Sequence, residues 1–155
     1  MFIHWDQSLE TGHPLVDAEH RILVLLFRKL DVAIKTHQTD EIRRNIIREV
    51  VRCVQFHFLS EENLMQETAY PNLKMHQALH AELLAELNAF VAKIASGREF
   101  PEDLLAFLSS WLSQHIAKHD RLVVEHVASS ASRPVAELAY PEYLLISPLP
   151  NPSSA

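Results

Sequence analysis

The stretch HFLSEENLM, residues 57–65, decides how the chain is read. It continues a run in which Ile42, Ile46, Val50, Cys53 and Val54 recur at helical spacing, so that one stripe of a helix from about Asp40 to Glu67 reads Ile42, Ile46, Val50, Cys53, Val54, His57, Glu61, Leu64. Residues four apart stand only about 40° apart around a helix, so His57 and Glu61 share the apolar face. A bare carboxylate and imidazole buried there would cost several kcal/mol. A metal ion removes that cost, because neutral imidazole and ionised carboxylate are the forms that ligate it.

The same interruption recurs on either side. From Asp17 to about Thr36 the stripe is Leu23, Val24, Phe27, Leu30 and Ile34, with His20 one turn ahead of it and Asp17 near the helix start. Tyr70 and Pro71 break the second helix, with the proline suited to the first turn of a third. That helix reads Leu73, His76, His80, Leu83, Leu87, Phe90, Ile94 and is capped by Gly97. Pro101 opens a fourth, running to about Ala128 through Leu104, Leu108, Trp111, Leu112, His115 and Leu122. Four amphipathic helices with short links predict an all-α, up-down-up-down four-helix bundle over residues 1–128. Residues 1–16, with Gly12 and Pro14, read as an arm that Phe2 and Trp5 tuck against the body. Residues 129–155 form a proline-rich tail whose Tyr140, Tyr143, Leu144, Leu145 and Ile146 are suited to packing on the bundle or on a partner protein.

Composition narrows the partners. At 155 residues the chain is one domain able to bury a real core. A formal charge of −6 argues against nucleic acid. No uncharged apolar run reaches membrane-spanning length, and the start MFIHWDQSLE does not read as a signal peptide. The single cysteine, Cys53, suits a reducing compartment, and a cytoplasmic location is expected.

Ten histidines are scattered through the chain, and the pairs 76/80 and 115/119 have HxxxH spacing. Pair spacing alone is weak; agreement among helices is stronger. His20 lies early in the first helix, His57 late in the second, and His76 and His80 early in the third, which places them at one level of an antiparallel bundle. His115 on the fourth helix is expected to reach that level. Four or five histidines with one or two carboxylates exceed what a tetrahedral zinc accepts and suggest two metals, with iron suited to a nitrogen-rich set that includes carboxylates.

The elements DAEH (17–20), HFLSEENLM (57–65), YPNLKMHQALH (70–80) and WLSQHIAKHD (111–120), with Trp5 and Gly12, resemble the hemerythrin family and in particular its single-domain bacterial members. The match covers about residues 3–125 in order and spacing. The resemblance implies a non-haem di-iron centre cycling between Fe2+ and Fe3+. One iron would take His76, His80 and His115; the other would take His20 and His57 and keep an open position. Glu61 and Asp120 would bridge them together with an oxo or hydroxo group. It further implies reversible binding of dioxygen, for transport, storage or delivery, without enzymatic turnover.

Periodicity and resemblance disagree at one place. Asp120 is five residues beyond His115, about 140° around an ideal helix, whereas His119 is about 40° away. The resemblance selects Asp120, and a π-type distortion would bring it inward. Two positions depart from the family pattern: Glu19, where members usually carry glutamine, and Leu83, where an aromatic is common. Leu23, Phe56, Leu83 and Trp111 are the expected pocket lining, with no obvious acid among them to drive O–O cleavage. His4, His13 and His37 read as exposed, His126 as a terminal surface group, His119 as peripheral, Glu62 as solvated or backing a ligand, and Cys53 as a core residue. Alternatives to oxygen carriage are a di-iron oxidase, peroxidase or nitric oxide reductase, oxygen or redox sensing through a partner on the tail, and a bundle that binds adventitious zinc or no metal.

Overall fold

In a computed structural model of the protein, residues 5–131 are described. A 3-10 turn (Gln7–Leu9) precedes α1 (Pro14–Lys35), α2 (Asp40–Glu67), α3 (Leu73–Ala95) and α4 (Pro101–His115). A π turn (Ile116–Asp120) then leads directly into α5 (Arg121–Ala131), so that α4 and α5 are two parts of a fourth helical rod. The described residues contain no strand, and the architecture is the expected four-helix bundle. Phe2, His4 and the tail residues from 132 onward lie outside the described residues.

Local chemistry sets the helix ends. α1 begins three residues before the expected Asp17, because Pro14 occupies the first turn, where its missing N–H costs nothing, and His13 Nδ1 accepts from Val16 N at 3.4 Å as the cap. Asp17 instead fastens the arm: its carboxylate accepts from Thr11 N (2.7 Å), Thr11 Oγ1 (2.8 Å) and Gly12 N (3.0 Å), and Gly12 supplies the φ of +93° this turn needs. The arm also buries Leu9 and is held to the fourth rod by Arg121 Nη2 donating to Ser8 O at 2.5 Å. α2 starts as expected at Asp40, capped by Thr39 Oγ1 accepting from Ile42 N. Pro71 stands just ahead of the Asn72 cap rather than inside α3. Gly97, at φ +71°, closes α3 as expected, with Arg98 N bonded back to Lys93 O and Gly97 N to Ile94 O.

The α1 stripe is buried as read, with Phe27 and Leu30 fully enclosed. It joins Val50, Val54, Phe58, Leu104, Leu108, Leu112 and Ile116 in the main core. A smaller cluster of Met65, Tyr70, Val123 and Val127 closes the other end. Along α2, Glu61 falls between Phe58 of the first cluster and Met65 of the second; along the fourth rod, Asp120 falls between Ile116 and Val123. A polar layer thus separates two apolar ones. Two stripe residues are corrected. Ile42, in the first turn of α2, is 41% exposed, and Leu122 is 48% exposed. The π turn explains Leu122: one extra residue in the turn rotates the rest of the rod, so that Val123, Val124 and Val127 take the inward positions.

Candidate metal centre

His20, His57, Glu61, His76, His80, His115 and Asp120 all enter the polar layer, none more than 4% exposed. They form two groups whose donor atoms lie within 4.8 Å of one another: Glu61, His76, His80, His115 and Asp120 in one, His20, His57 and Asp120 in the other. In the first, Nε2 of His115 lies 3.2 Å from Nε2 of both His76 and His80, and Glu61 Oε2 stands 3.2 Å from His76 Nε2 and 3.3 Å from His80 Nε2. Donor atoms about 3 Å apart are the spacing of adjacent ligands around one cation with bonds of about 2.0–2.2 Å.

Asp120 belongs to both groups. Its Oδ1 faces His115 Nε2 (3.0 Å) and His76 Nε2 (3.6 Å), while Oδ2 faces His20 Nε2 (3.1 Å) and His57 Nε2 (4.0 Å). The π turn Ile116–Asp120 puts the fifth residue after His115 on the same side as His115, which resolves the disagreement between periodicity and resemblance in favour of Asp120. His119 stays half-buried beside the layer, its ring 5.2 Å from that of His115, and it joins neither group. Glu61 belongs to the three-histidine group by these distances.

The donor set fits cations better than protons. His57 Nε2 and both carboxylate oxygens of Glu61 are buried without a hydrogen-bond partner, although imidazole nitrogens stand close by. Lone pairs that converge without bonding one another are what a cation between them would satisfy. In the protein alone the carboxylates pull protons onto the rings. Burial disfavours the His76 imidazolium, but Asp120 and Glu61 outweigh it and push its pKa up to about 9. His57 is likewise raised against burial, through its hydrogen bond to Glu19 and the charges of Asp120 and Glu61. Asp120, for which burial favours the neutral acid, is held well below the usual carboxylate range by His115, His20 and His76. Metal binding therefore has to displace protons from this layer.

Two further carboxylates stand behind the rings. Glu19, 3% exposed, accepts from His57 Nδ1 at 2.9 Å through Oε2 and from Ser60 Oγ at 2.6 Å through Oε1. Glu62 Oε1 accepts from His80 Nδ1 at 2.9 Å, and its Oε2 from Gln77 Nε2 at 3.1 Å. Both bonds turn Nε2 inward and fix the ring. In the sequence Glu19 stands out only as a departure from the family pattern, yet its spacing from Val16 (three) and Leu23 (four) puts it on the buried arc of α1, a signal sufficient to find it.

The walls differ in part from expectation. Leu23 is fully buried, and Leu83 and Trp111 are half-buried. Phe56 is 57% exposed and lines nothing; Phe58 takes its place, stacked on His80 at 3.8 Å between ring centres and edge-on to Trp111 at 5.5 Å. Phe58 lies four residues after Val54 and three before Glu61, on the buried arc that Phe56 misses. Between α3 and α4 a cleft of about 450 Å³, whose lining includes Leu83, Phe107, Trp111, Lys118 and His119, reaches His115. Two histidines read as ordinary surface groups are structural. Besides His13, the α1 cap, His126 Nε2 donates to Thr68 O at 2.8 Å and its ring meets Tyr70 edge-on. His37 is exposed as expected. Cys53 is half-buried, and burial pushes its thiol up to about 11, which suits the expected packing role. Among the described residues no helix is long and apolar enough to cross a membrane.

Known proteins resemble this chain in sequence and fold. The bacteriohemerythrin of Stenotrophomonas maltophilia is 28% identical over 123 residues, covering 79% of this chain and 80% of its own. That of Pseudomonas aeruginosa is 27% identical over 133 residues, 86% of each chain. The solved structure of a wild-type hemerythrin superposes with a TM-score of 0.74 at 25% identity, over 83% of this chain and 99% of the other. The family model of the hemerythrin HHE cation binding domain matches residues 11–127, which include all seven converging residues, and the chain therefore belongs to the hemerythrin family.

Proposed function

We propose that the seven residues hold two iron ions and that the protein binds dioxygen reversibly, for transport, storage or delivery, without consuming it. His76, His80 and His115 would hold one iron and His20 and His57 the other; Asp120, turned to both groups, and Glu61, which stands with the three histidines, would be the carboxylates shared between them. The observation that carries this reading is the division of Asp120, one oxygen turned to each histidine group. When bound, such an iron pair would supply the electrons that oxygen binding needs.

The protein's own groups do the rest. Glu19 and Glu62 fix the rings of His57 and His80 with Nε2 inward, while Leu23, Phe58 and the two apolar clusters keep bulk water out of the layer. Five neutral imidazoles against two bridging carboxylates donate little negative charge, which favours holding oxygen over activating it. An oxygen-accepting or redox protein that docks through residues 129–155 in a reducing, cytoplasmic setting would complete the role.

Metal analysis after expression with ample iron is expected to return two irons per chain. On anaerobic reduction followed by oxygen, a visible charge-transfer band should appear, then vanish under vacuum without net oxygen uptake. One zinc or no metal would overturn the iron reading. Steady oxygen consumption with an electron donor would replace carriage by oxidase chemistry.

A further inference from the structure

The two carboxylates behind the ligand histidines are unequal. Glu19 is enclosed between α1 and α2 with both oxygens committed, one to His57 Nδ1 at 2.9 Å and one to Ser60 Oγ at 2.6 Å. Glu62 backs His80 at the same 2.9 Å, but its side chain is 24% exposed and its second oxygen is taken by an exposed amide, that of Gln77. The remaining ring of the two-histidine group, His20, has Nδ1 buried without a hydrogen-bond partner. Whatever electron density that half receives from behind its rings therefore comes through Glu19.

We propose that Glu19 is a positioning residue that, through His57, draws the two-histidine half of the centre toward its ferric state, while Glu62 exerts the same pull on the other half only weakly. This rests on the di-iron reading above. An imidazole whose N–H is held by a carboxylate gains imidazolate character and becomes a stronger donor at its other nitrogen, which favours the higher charge on the bound ion. In a dry site this polarisation is strong; where water reaches the carboxylate it is screened. The half predicted to keep the open position is thus the one tuned from behind, and Glu19 sets how readily the ferrous, oxygen-binding state is lost.

The test compares Glu19→Gln with Glu62→Gln in the full chain. Glutamine keeps the size of the side chain but removes the charge; its amide oxygen can still accept from His57 Nδ1 while its NH2 donates to Ser60 Oγ. Potentiometric titration of the iron-loaded proteins, two electrons passing from the iron pair to the mediators, is expected to give a higher midpoint potential for Glu19→Gln, with a smaller rise for Glu62→Gln. Independently of iron, Zn2+ binding to the metal-free proteins, read by competition with a chelator, should weaken about 10-fold or more for Glu19→Gln and less for Glu62→Gln. If Glu19→Gln does not fold, Glu19→Asp, which keeps the charge and withdraws it by one methylene, should move both readouts in the same direction by less. Glu19 variants that match the parent in both readouts, or move no further than Glu62→Gln, overturn the proposal. A parent that holds no iron pair overturns the di-iron reading instead, and the Zn2+ arm then decides on Glu19 alone.

Discussion

Helices α1 and α3 both deliver histidines to the polar layer, yet they are held in the bundle by different means. Ten of the 22 residues of α1 are buried, and six of these are apolar residues that run from Leu23, beside the polar layer, through the main core to Ile34. In α3 three of 23 residues are buried: His76, His80 and Leu87. Its other inward residues, Leu73, Leu83, Leu84, Phe90, Val91 and Ile94, are half-buried. Leu83 also borders the cleft that separates α3 from α4. An apolar face stabilises α1 whether or not a cation is present. α3, whose apolar residues other than Leu87 are only half-buried, relies on the site more than α1 does. The comparison teaches that the polar layer also helps to fasten one of the helices that build it.

The largest effect should come from the group both helices share. Asp120→Ala removes the carboxylate facing His20 of α1 and His76 of α3, leaving buried imidazoles unpaired. Loss of about 3–5 kcal/mol in urea unfolding is expected, as for breaking a buried pair. Metal content should fall for both ions together; loss of one ion with full retention of the other would show that Asp120 is not common to the two halves.

Stripping the metal with a chelator should separate the helices. A cation present at 100- to 1,000-fold above its Kd contributes about 2.7–4.1 kcal/mol to the state that binds it. Amide exchange across α3 is therefore expected to quicken by about 100-fold or more, while Leu23–Ile34 of α1 changes by less than about tenfold. Equal loosening of α1 and α3 would break the comparison. Apolar truncation should give the converse. Leu30→Ala, in the sealed part of α1, is expected to cost about 3 kcal/mol by thermal or urea unfolding, and Leu83→Ala on α3 about 1 kcal/mol. Neither should lower metal content.

The same contrast explains what could be read from the sequence. The α1 stripe is legible because a fully apolar arc repeats over three turns, and the histidines of the polar layer are legible because each interrupts or extends such an arc. The fourth rod is legible only as far as His115, since the π turn beyond it leaves no local signature: spacing favours His119, and it puts Leu122 inward one residue ahead of Val123. Phe56 and Phe58 flank His57 on opposite sides, and choosing between them needs the arc from Val54 to Glu61 rather than nearness to the ligand. His126 escapes because its partner, Thr68 O, is 58 residues away in sequence and no spacing rule reaches that far.

α3 is also bounded by two turns that bond alike but are filled by unlike residues, and they give the smallest and most local test. α2 ends in the same bonded turn as α3, with Tyr70 N returning to Met65 O and Ala69 N to Gln66 O. The left-handed position is filled by Ala69 at φ +51° before α3 and by Gly97 at φ +71° after it. Left-handed backbone costs an L residue roughly 1–2 kcal/mol, whereas glycine adopts it freely but loses more entropy on folding, about 0.4–1 kcal/mol. Both residues are exposed, and a Cβ at Gly97 would meet nothing within 4 Å, so packing does not enter. Ala69→Gly is therefore expected to stabilise the protein by about 0.5–1 kcal/mol and Gly97→Ala to destabilise it by a similar amount. Measured by urea unfolding of the metal-free protein, where the site does not hold α3 in place, opposite signs would show that backbone geometry alone sets the two closures. Like signs would mean that α3 leans on one turn through contacts the other lacks.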